Sequence, residues 1–503
     1  MKLRLLFLLL IIIICVSAFA QNNANNTSDS TIYYINSFVY NVDGITRAFA
    51  LNYRTKFVYG EEITGLSNLE RFIQEKTRLL SNERVLESAR IEHTIGPAGE
   101  DGKRPVDLVI YVKDTWNMII LPYPQYSSNS GFKLTLKARD YNFLGTMSPL
   151  RIDVGYHYDE NNRTSFTLML DSDIPFTLWG LNWNLDFDHD FAYRMDREQE
   201  FYYKNTTGLS VEFPINGSTL TVGFAESFIV NEENSDIDKL LYGEFQDGLY
   251  MSSRVFASWS IPLGLTYYEL GELTYTPGAS LVFNHEFPQW PLSPSRKGPY
   301  LNLSHSIDFG VVDWIDDFRK GASASLYNSF NYNFYNAANS LQPWGAHLSI
   351  TGTGHKIFNE YLGLSARISY RHWFFDDYHS SAGDNLRGIL DNTINANYML
   401  SLNLDLRFRL PVRPSEWFPE ISFMNIFDFD LHLVPIIDMA LYSDPIEKKV
   451  FGLENLLLTA GFEFIVFPKR WRSLLLRVSY GRNFSIGPKG NSSEIYIGTE
   501  LHY

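Results

Sequence analysis

Few residues in this chain are arranged for chemistry. His285 and Glu286 begin a His-Glu-x-x-His zinc motif, in which two imidazoles one helical turn apart hold the metal. The position four beyond His285 is Gln289, so the second ligand is missing. Asp186, Asp188 and Asp190 have the spacing of a calcium loop, but no glycine follows to make the turn that such a loop needs. No Gly-x-Ser-x-Gly nucleophile elbow occurs. The single cysteine, Cys15, sits among the first residues, so the chain beyond it has no disulfide and no thiolate ligand. No metal and no cofactor is expected.

The polar residues belong instead to a pattern. Aromatics make up 16% of the 503 residues and charged residues only 20%, yet no apolar run after the first 20 residues is long enough for a membrane helix. Apolar residues are dispersed, as strict alternation disperses them. In 397–410, Tyr398, Leu400, Leu402, Leu404, Leu406, Phe408 and Leu410 share one parity, while Asn397, Ser401, Asn403, Asp405, Arg407 and Arg409 share the other. The windows 181–191 and 362–371 alternate in the same way, and so does 494–503, with Ile495, Ile497, Thr499, Leu501 and Tyr503 on the outward parity. The three acids 186, 188 and 190 fall together on a polar strand face. Windows of ten to fourteen residues exceed the usual five or six of a soluble sandwich and match a strand that crosses a bilayer with one face to lipid and one to a wet lumen.

These patterns predict a mainly β fold: a transmembrane antiparallel β-barrel of about 16 strands over 116–503, with the windows at 248–311 ambiguous between 16 and 18 strands. Outward side chains should include Leu402, Leu404, Leu406, Ile495 and Leu501. Residues 1–20 read as a cleaved signal peptide, with Lys2 and Arg4 before an apolar core and Ala18-Phe19-Ala20 as the cleavage site. Residues 21–30 read as a polar linker. Residues 31–115 form a small α+β domain, with strands at 33–40, 84–95 and 106–113. Its one helix is expected over 67–80, capped by Ser67, with Leu69, Phe72, Ile73, Thr77 and Leu80 on one face. The net charge of −15 argues against nucleic acid as a partner.

Residues 496–503, Tyr-Ile-Gly-Thr-Glu-Leu-His-Tyr, resemble the C-terminal signal of outer-membrane barrels through Tyr496, Gly498, Leu501 and Tyr503, with Tyr503 where Phe or Trp is usual. Over 31–503 the chain resembles the BamA/TamA superfamily of outer-membrane assembly and translocation barrels (the bacterial surface antigen type). Gly44, Thr46, Leu79, Arg84-Val85 and the closing Leu108-x-Ile110-x-Val112-x-Asp114 resemble a single POTRA domain. Asp140 to Thr146 resembles the turn after the second barrel strand. Leu386-Arg387-Gly388-Ile389 resembles the Val-Arg-Gly-aromatic motif of the long loop that folds into the lumen, and five strand windows follow it. Ile436 to Ala440 resembles the Phe-x-Asp-x-Gly strand motif. Ile389, Ile436 and Ala440 depart from the family residues.

The resemblance implies a loop at 376–395 folded inward, with Arg387 paired to Asp438 and Asp405 as a second acceptor. Alternation agrees, because it puts Asp438 and Asp405 on lumen parities. It further implies an outer-membrane location with 31–115 in the periplasm. The implied activity is insertion or export of substrate proteins by strand pairing at the edge of the first barrel strand, 119–127. Partners would be outer-membrane lipid, unfolded outer-membrane or secreted proteins, and periplasmic chaperones or accessory lipoproteins. Two alternatives stay open: a porin-like or surface-adhesion barrel without insertase activity, and an outer-membrane enzyme, such as a lipase with Ser and His on the barrel wall.

Overall fold

The computed structural model describes residues 30–127, 131–158, 164–195, 201–233, 246–267, 271–374, 380–390, 394–443, 453–471, 475–485, 491–498 and 501–503. The expected leader and nearly all of the expected linker lie outside them. The chain divides into two compact units. One holds the residues up to Val39 with Lys56–Arg78 and Arg90–Ile110, and the other holds Tyr40–Thr55, Leu79–Ala89 and Tyr111–Tyr503.

The N-terminal elements are β1 (Ile32–Asp43), α1 (Ala48–Thr55), β2 (Glu62–Thr64), α2 (Leu66–Asn82), β3 (Leu86–Ile95) and β4 (Arg104–Asp114), with sheet order β2-β1-β4-β3. Along β4 the alternation of the sequence becomes alternation of burial, with Val106, Leu108, Ile110 and Val112 all buried. On α2, Leu69, Ile73 and Leu80 are buried, the spacing of one helical face. The helix begins at Leu66, so Ser67 lies within its first turn rather than at its cap. The sequence reading expected one helix and the structure has two. The eight residues of α1 carry only Arg54 in the last turn as a signal, and so short a helix is held by tertiary burial, here of Ala50, Leu51 and Thr55, not by propensity.

The barrel strands are β5 (Met118–Ser127), β6 (Gly131–Asp140), β7 (Leu150–Tyr158), β8 (Thr164–Leu178), β9 (Leu181–Arg194), β10 (Phe201–Ile215), β11 (Ser218–Glu233), β12 (Gln246–Tyr267) and β13 (Gly271–Glu286). They continue with β14 (Tyr300–Ile315), β15 (Phe318–Asn333), α3 (Phe334–Ala338), β16 (Trp344–Asn359) and β17 (Leu362–Phe374). The inserted loop forms a small separate hairpin, β18 (Ser380–Ser381) with β19 (Asn395–Ala396). The wall resumes with β20 (Tyr398–Val412), α4 (Pro414–Trp417), β21 (Phe429–Tyr442), β22 (Leu456–Pro468), β23 (Leu476–Asn483) and β24 (Ser493–Gly498).

Among the described residues the ring has eighteen strands, not about 16. The ambiguous stretch is a true run of β12, β13 and β14. Its pattern is blurred because β12 accommodates Pro262 and Gly264 with a register shift between Pro262 and Thr266, where β12 pairs with β13. A bulge of this kind lets a strand continue through residues that would otherwise end it.

Side chains divide as the alternation requires. On β20, Ser401, Asn403, Asp405 and Arg407 are buried in the lumen. Leu406, Phe408 and Leu410 are exposed outward, and Leu402 and Leu404 share their face. Ile495 is also outward. Leu501 is a correction. The last strand is described over Ser493–Gly498, and Leu501 packs against the lumen cluster of Val434, Ile436, Ile465 and Phe467. Tyr503 lies inward too, donating through its hydroxyl to the Ser365 carbonyl at 3.2 Å, with the Arg367 guanidinium 4.9 Å from its ring centroid. Apolar and cationic partners inside the barrel thus hold this segment away from the outward parity.

Among the described residues, β23 and β24 are paired at six positions, from Arg477↔Gly498 to Arg482↔Ser493. Among the described residues, β24 and β5 are paired at one, Tyr496↔Ser127, supplemented by the Tyr123 hydroxyl donating to the Ile497 carbonyl at 3.0 Å.

Candidate functional site

The side chains of β20 to β23 that face the lumen build a charged cluster around one loop residue. Arg387 is 5% exposed. Its Nε donates to Asp438 Oδ2 at 2.9 Å and its Nη2 to Asp438 Oδ1 at 2.6 Å, a bidentate fork. Its Nη2 also reaches Asp405 Oδ1 at 2.8 Å, and its Nη1 reaches Glu463 Oε1 at 3.1 Å. The Arg387 backbone amide adds a bond to Asp438 Oδ2 at 3.0 Å. Asp405, Asp438 and Glu463 are each almost wholly buried. Arg407 lies 3.3 Å from Asp405, and Arg477 lies 3.5 Å from Glu463. Three guanidinium groups therefore meet three carboxylates, which is the charge balance that a buried ionic group requires.

The loop is also seated by packing. Ala382, Leu386, Ile389, Ile394 and Ala396 form one buried cluster with Met399, Ala440, Tyr442 and Leu457 of the wall. The aliphatic residues standing at 389 and 440 fit this apolar contact. Gly388 has φ +95°, a conformation that suits glycine. A Cβ there would lie 2.6 Å from the carbonyl carbon of Gly481, and a Cβ on Gly481 would lie 2.6 Å from that of Arg387. Loop and β23 cross backbone to backbone. Gly388 N donates to Glu494 Oε2 at 3.0 Å, and Ser492 Oγ donates to the Gly388 carbonyl at 2.8 Å. Residues 376–379 and 391–393 of the expected loop lie outside the described residues.

Of the four residues of the C-terminal signal, Tyr496 and Gly498 are on β24, with Arg477 stacked over the Tyr496 ring at 4.4 Å. Leu501 and Tyr503 are in the lumen, and the Tyr503 ring lies 6.0 Å from the Arg387 guanidinium. Sequence reasoning missed Glu463 and Gly481. Both carried a signal. Glu463 is a lone acid on the inward parity of β22, beside Ile465 and Phe467, and Gly481 interrupts a strand interior, where a neighbouring backbone often approaches.

Within the second unit a second group of the noted residues meets. Thr46 Oγ1 donates to Asp114 Oδ1 at 2.6 Å. The buried Asn142 amide donates to Thr46 Oγ1 at 2.7 Å and to Asp114 Oδ2 at 3.2 Å.

The hydrolase alternative can be read from geometry. Ser253 Oγ is 2.9 Å from His285 Nε2, on the outward parity of β12 and β13. The nearby carboxylate, Glu226, accepts from Ser253 Oγ at 2.7 Å. A catalytic relay needs its carboxylate on the imidazole, holding the tautomer that takes the serine proton. Here the acid competes for that proton. Asp186, Asp188 and Asp190 lie on the lumen parity of β9, and no metal-ligating group of three side chains occurs among the described residues.

Fold and site together define an antiparallel β-barrel with an inserted, ion-paired loop. No protein-family profile matches the chain, and no curated protein does. Solved structures that it resembles include BamA from Haemophilus ducreyi lacking POTRA domains 1–3, at 13% identity, 93% of this chain and 84% of that one, with a TM-score of 0.43. CdiB from Acinetobacter baumannii aligns at 11% identity, 93% and 74% coverage and TM-score 0.45. CdiB from Escherichia coli aligns at 8% identity, 96% and 93% coverage and TM-score 0.41.

Proposed function

We propose that this chain inserts or exports substrate proteins at the bacterial outer membrane by pairing a substrate strand with the edge of β5. The observation that supports the reading is the seam, where β5 has ten residues and, among the described residues, a single backbone pair with β24. An unsatisfied strand edge in a bilayer is costly, because lipid offers no hydrogen bonds. An extended substrate segment would satisfy it, and its backbone bonds would supply the driving force. In this reading residues 1–20 are a leader, 21–30 a linker, and 31–115 a periplasmic POTRA-like domain that receives unfolded chains, alone or from chaperones and accessory lipoproteins. No step in it requires catalysis or a cofactor.

The test is a reversible lock. Cysteines at Ser127 and Tyr496, the paired positions, should form a disulfide across the seam. With oxidant, insertion of a reporter barrel into liposomes should fall at least tenfold, and reductant should restore it. Full activity in the locked state would refute the edge mechanism. A porin-like barrel would instead pass small solutes equally well in both states.

The N-terminal sheet makes a further prediction. β1 and β4 are its inner strands and β2 has only three residues, so β3 is the edge long enough for augmentation. Adding an extended barrel-derived peptide to the full chain should slow amide exchange in 91–95, with no change in β4. Unchanged exchange at millimolar peptide would remove the chaperone-like role of this sheet.

A further inference from the structure

Residues 413–428 join β20 to β21 at the end of the barrel where β5 begins. Among the described residues, the other strand connections at that end include two-residue turns at 179–180, 216–217, 316–317 and 360–361. This one runs through α4 and a 3-10 turn, Ser422–Phe427. It spends its length displaying apolar side chains. Trp417 is 63% exposed, Phe423 56% and Phe427 55%, with Phe418 and Ile421 exposed beside them.

The display is held in place. Arg413 Nη2 donates to Asp430 Oδ1 at 2.5 Å, and its Nη1 donates to the Phe429 carbonyl at 2.6 Å. The Ser415 amide donates to Asp428 Oδ1 at 3.0 Å and its hydroxyl to Asp428 Oδ2 at 2.5 Å. Arg413 thus fastens the segment to the wall and Ser415 ties its start to its end, while its apolar side chains stay exposed. They also continue an existing surface. Phe408 and Leu410, outward residues near the end of β20, are 38% and 51% exposed and face lipid.

We propose that residues 413–428 form an interfacial anchor lying in the phospholipid leaflet at this end of the barrel, with net-neutral headgroups as its partner. Aromatic side chains settle at the boundary between headgroups and acyl chains, where one edge stays wet and the ring body is buried. The charge of the segment selects the headgroup. Arg413 and Asp428 are spent on the fastenings, which leaves Glu416 and Glu420, and two carboxylates at a bilayer surface are repelled by anionic lipid.

The experiment uses the full chain, reconstituted in phosphatidylcholine bilayers, with Cys15 as its only native cysteine. Nitroxide labels go on Trp417→Cys, Ile421→Cys and Phe423→Cys in turn. Leu404→Cys on the outer wall serves as the lipid reference and Glu100→Cys, in the exposed β3–β4 connection, as the aqueous one. The ratio of oxygen to nickel-chelate accessibility should be several-fold higher at 417, 421 and 423 than at 100, and should approach that at 404. Replacing the lipid with an anionic one should lower it. Values at the aqueous level, with 404 still in lipid, would overturn the anchor and leave the barrel standing. The same holds if the labels leave water only when a second copy or an added protein binds. A ratio that rises in anionic lipid would overturn the headgroup assignment. An aqueous ratio at 404 as well would instead indict the membrane barrel itself.

Discussion

Arg387→Ala is expected to release the inserted loop from the lumen while the barrel stays folded. The substitution leaves Asp438, Asp405 and Glu463 buried, with Arg407 on Asp405 and Arg477 on Glu463 as the ion pairs that remain among the described residues and none on Asp438. Removing one partner of a buried ionic group costs about 3–5 kcal/mol, because the remaining charges are stranded out of water. The loop is the element that can move. Limited proteolysis should cut within 380–390 at least tenfold faster than in the native protein, while the heat-modifiable mobility of the folded barrel is retained. If the proposed function holds, substrate insertion should fall with it. Asp438→Ala should do the same, since it removes both arms of the fork and the acceptor of the Arg387 amide. The swap Arg387→Asp with Asp438→Arg should recover little, because an arginine rooted on β21 would address Asp405 and Glu463 from a different direction. A native cleavage rate in Arg387→Ala would show that the ionic cluster does not hold the loop.

Gly481→Ala tests the same seating without touching a charge. Its Cβ would fall 2.6 Å from the Arg387 carbonyl carbon and 2.7 Å from Gly388 N. Both are backbone atoms, so no rotamer change relieves the overlap, and overpacking of this kind costs about 1–3 kcal/mol. Gly388→Ala meets the wall from the other side and adds a left-handed backbone that an L side chain adopts only at a cost of roughly 1–2 kcal/mol. Either variant should reproduce the protease-sensitive loop although Arg387 and its carboxylates are all present. Gly354→Ala, on β16, is the control, because a Cβ there meets nothing within 4 Å. Full protection of the loop in Gly481→Ala would mean that β23 and the loop are not in the contact described.

What the sequence made legible follows from what alternation encodes. Parity says which wall face a side chain occupies, so it placed Asp405 and Asp438 in the lumen and Leu402, Leu404 and Leu406 outside. It says nothing about where a strand stops. The 494–503 window alternates to its end, yet Leu501 packs on the cluster of Ile436 and Phe467 in the lumen and the Tyr503 ring lies beside Arg367. Such partners belong to strands far away in sequence, and no local pattern announces them. Glu463 was missed for a different reason. It stood on the correct parity, but a sequence read for one pair had no cause to seek a third acid. The helix α1 left too little pattern to detect.

The loop touches more of the wall than its length suggests. Through Arg387 and Gly388 it binds Asp405 on β20, Asp438 on β21, Glu463 on β22, Gly481 on β23 and Glu494 on β24. Every one of these strands follows the loop in the chain. During synthesis and folding the loop therefore has no complete seat until the last strand has been laid down in register. A shift of one residue anywhere from β20 to β24 would turn an acid or a glycine to the wrong face. Docking of the loop would thus act as a checkpoint on wall assembly, rewarding only a finished and correctly ordered set of the five last strands. Kinetically, the ionic cluster should appear last, after the bulk of the strand pairing, as the step that commits the barrel to its native state.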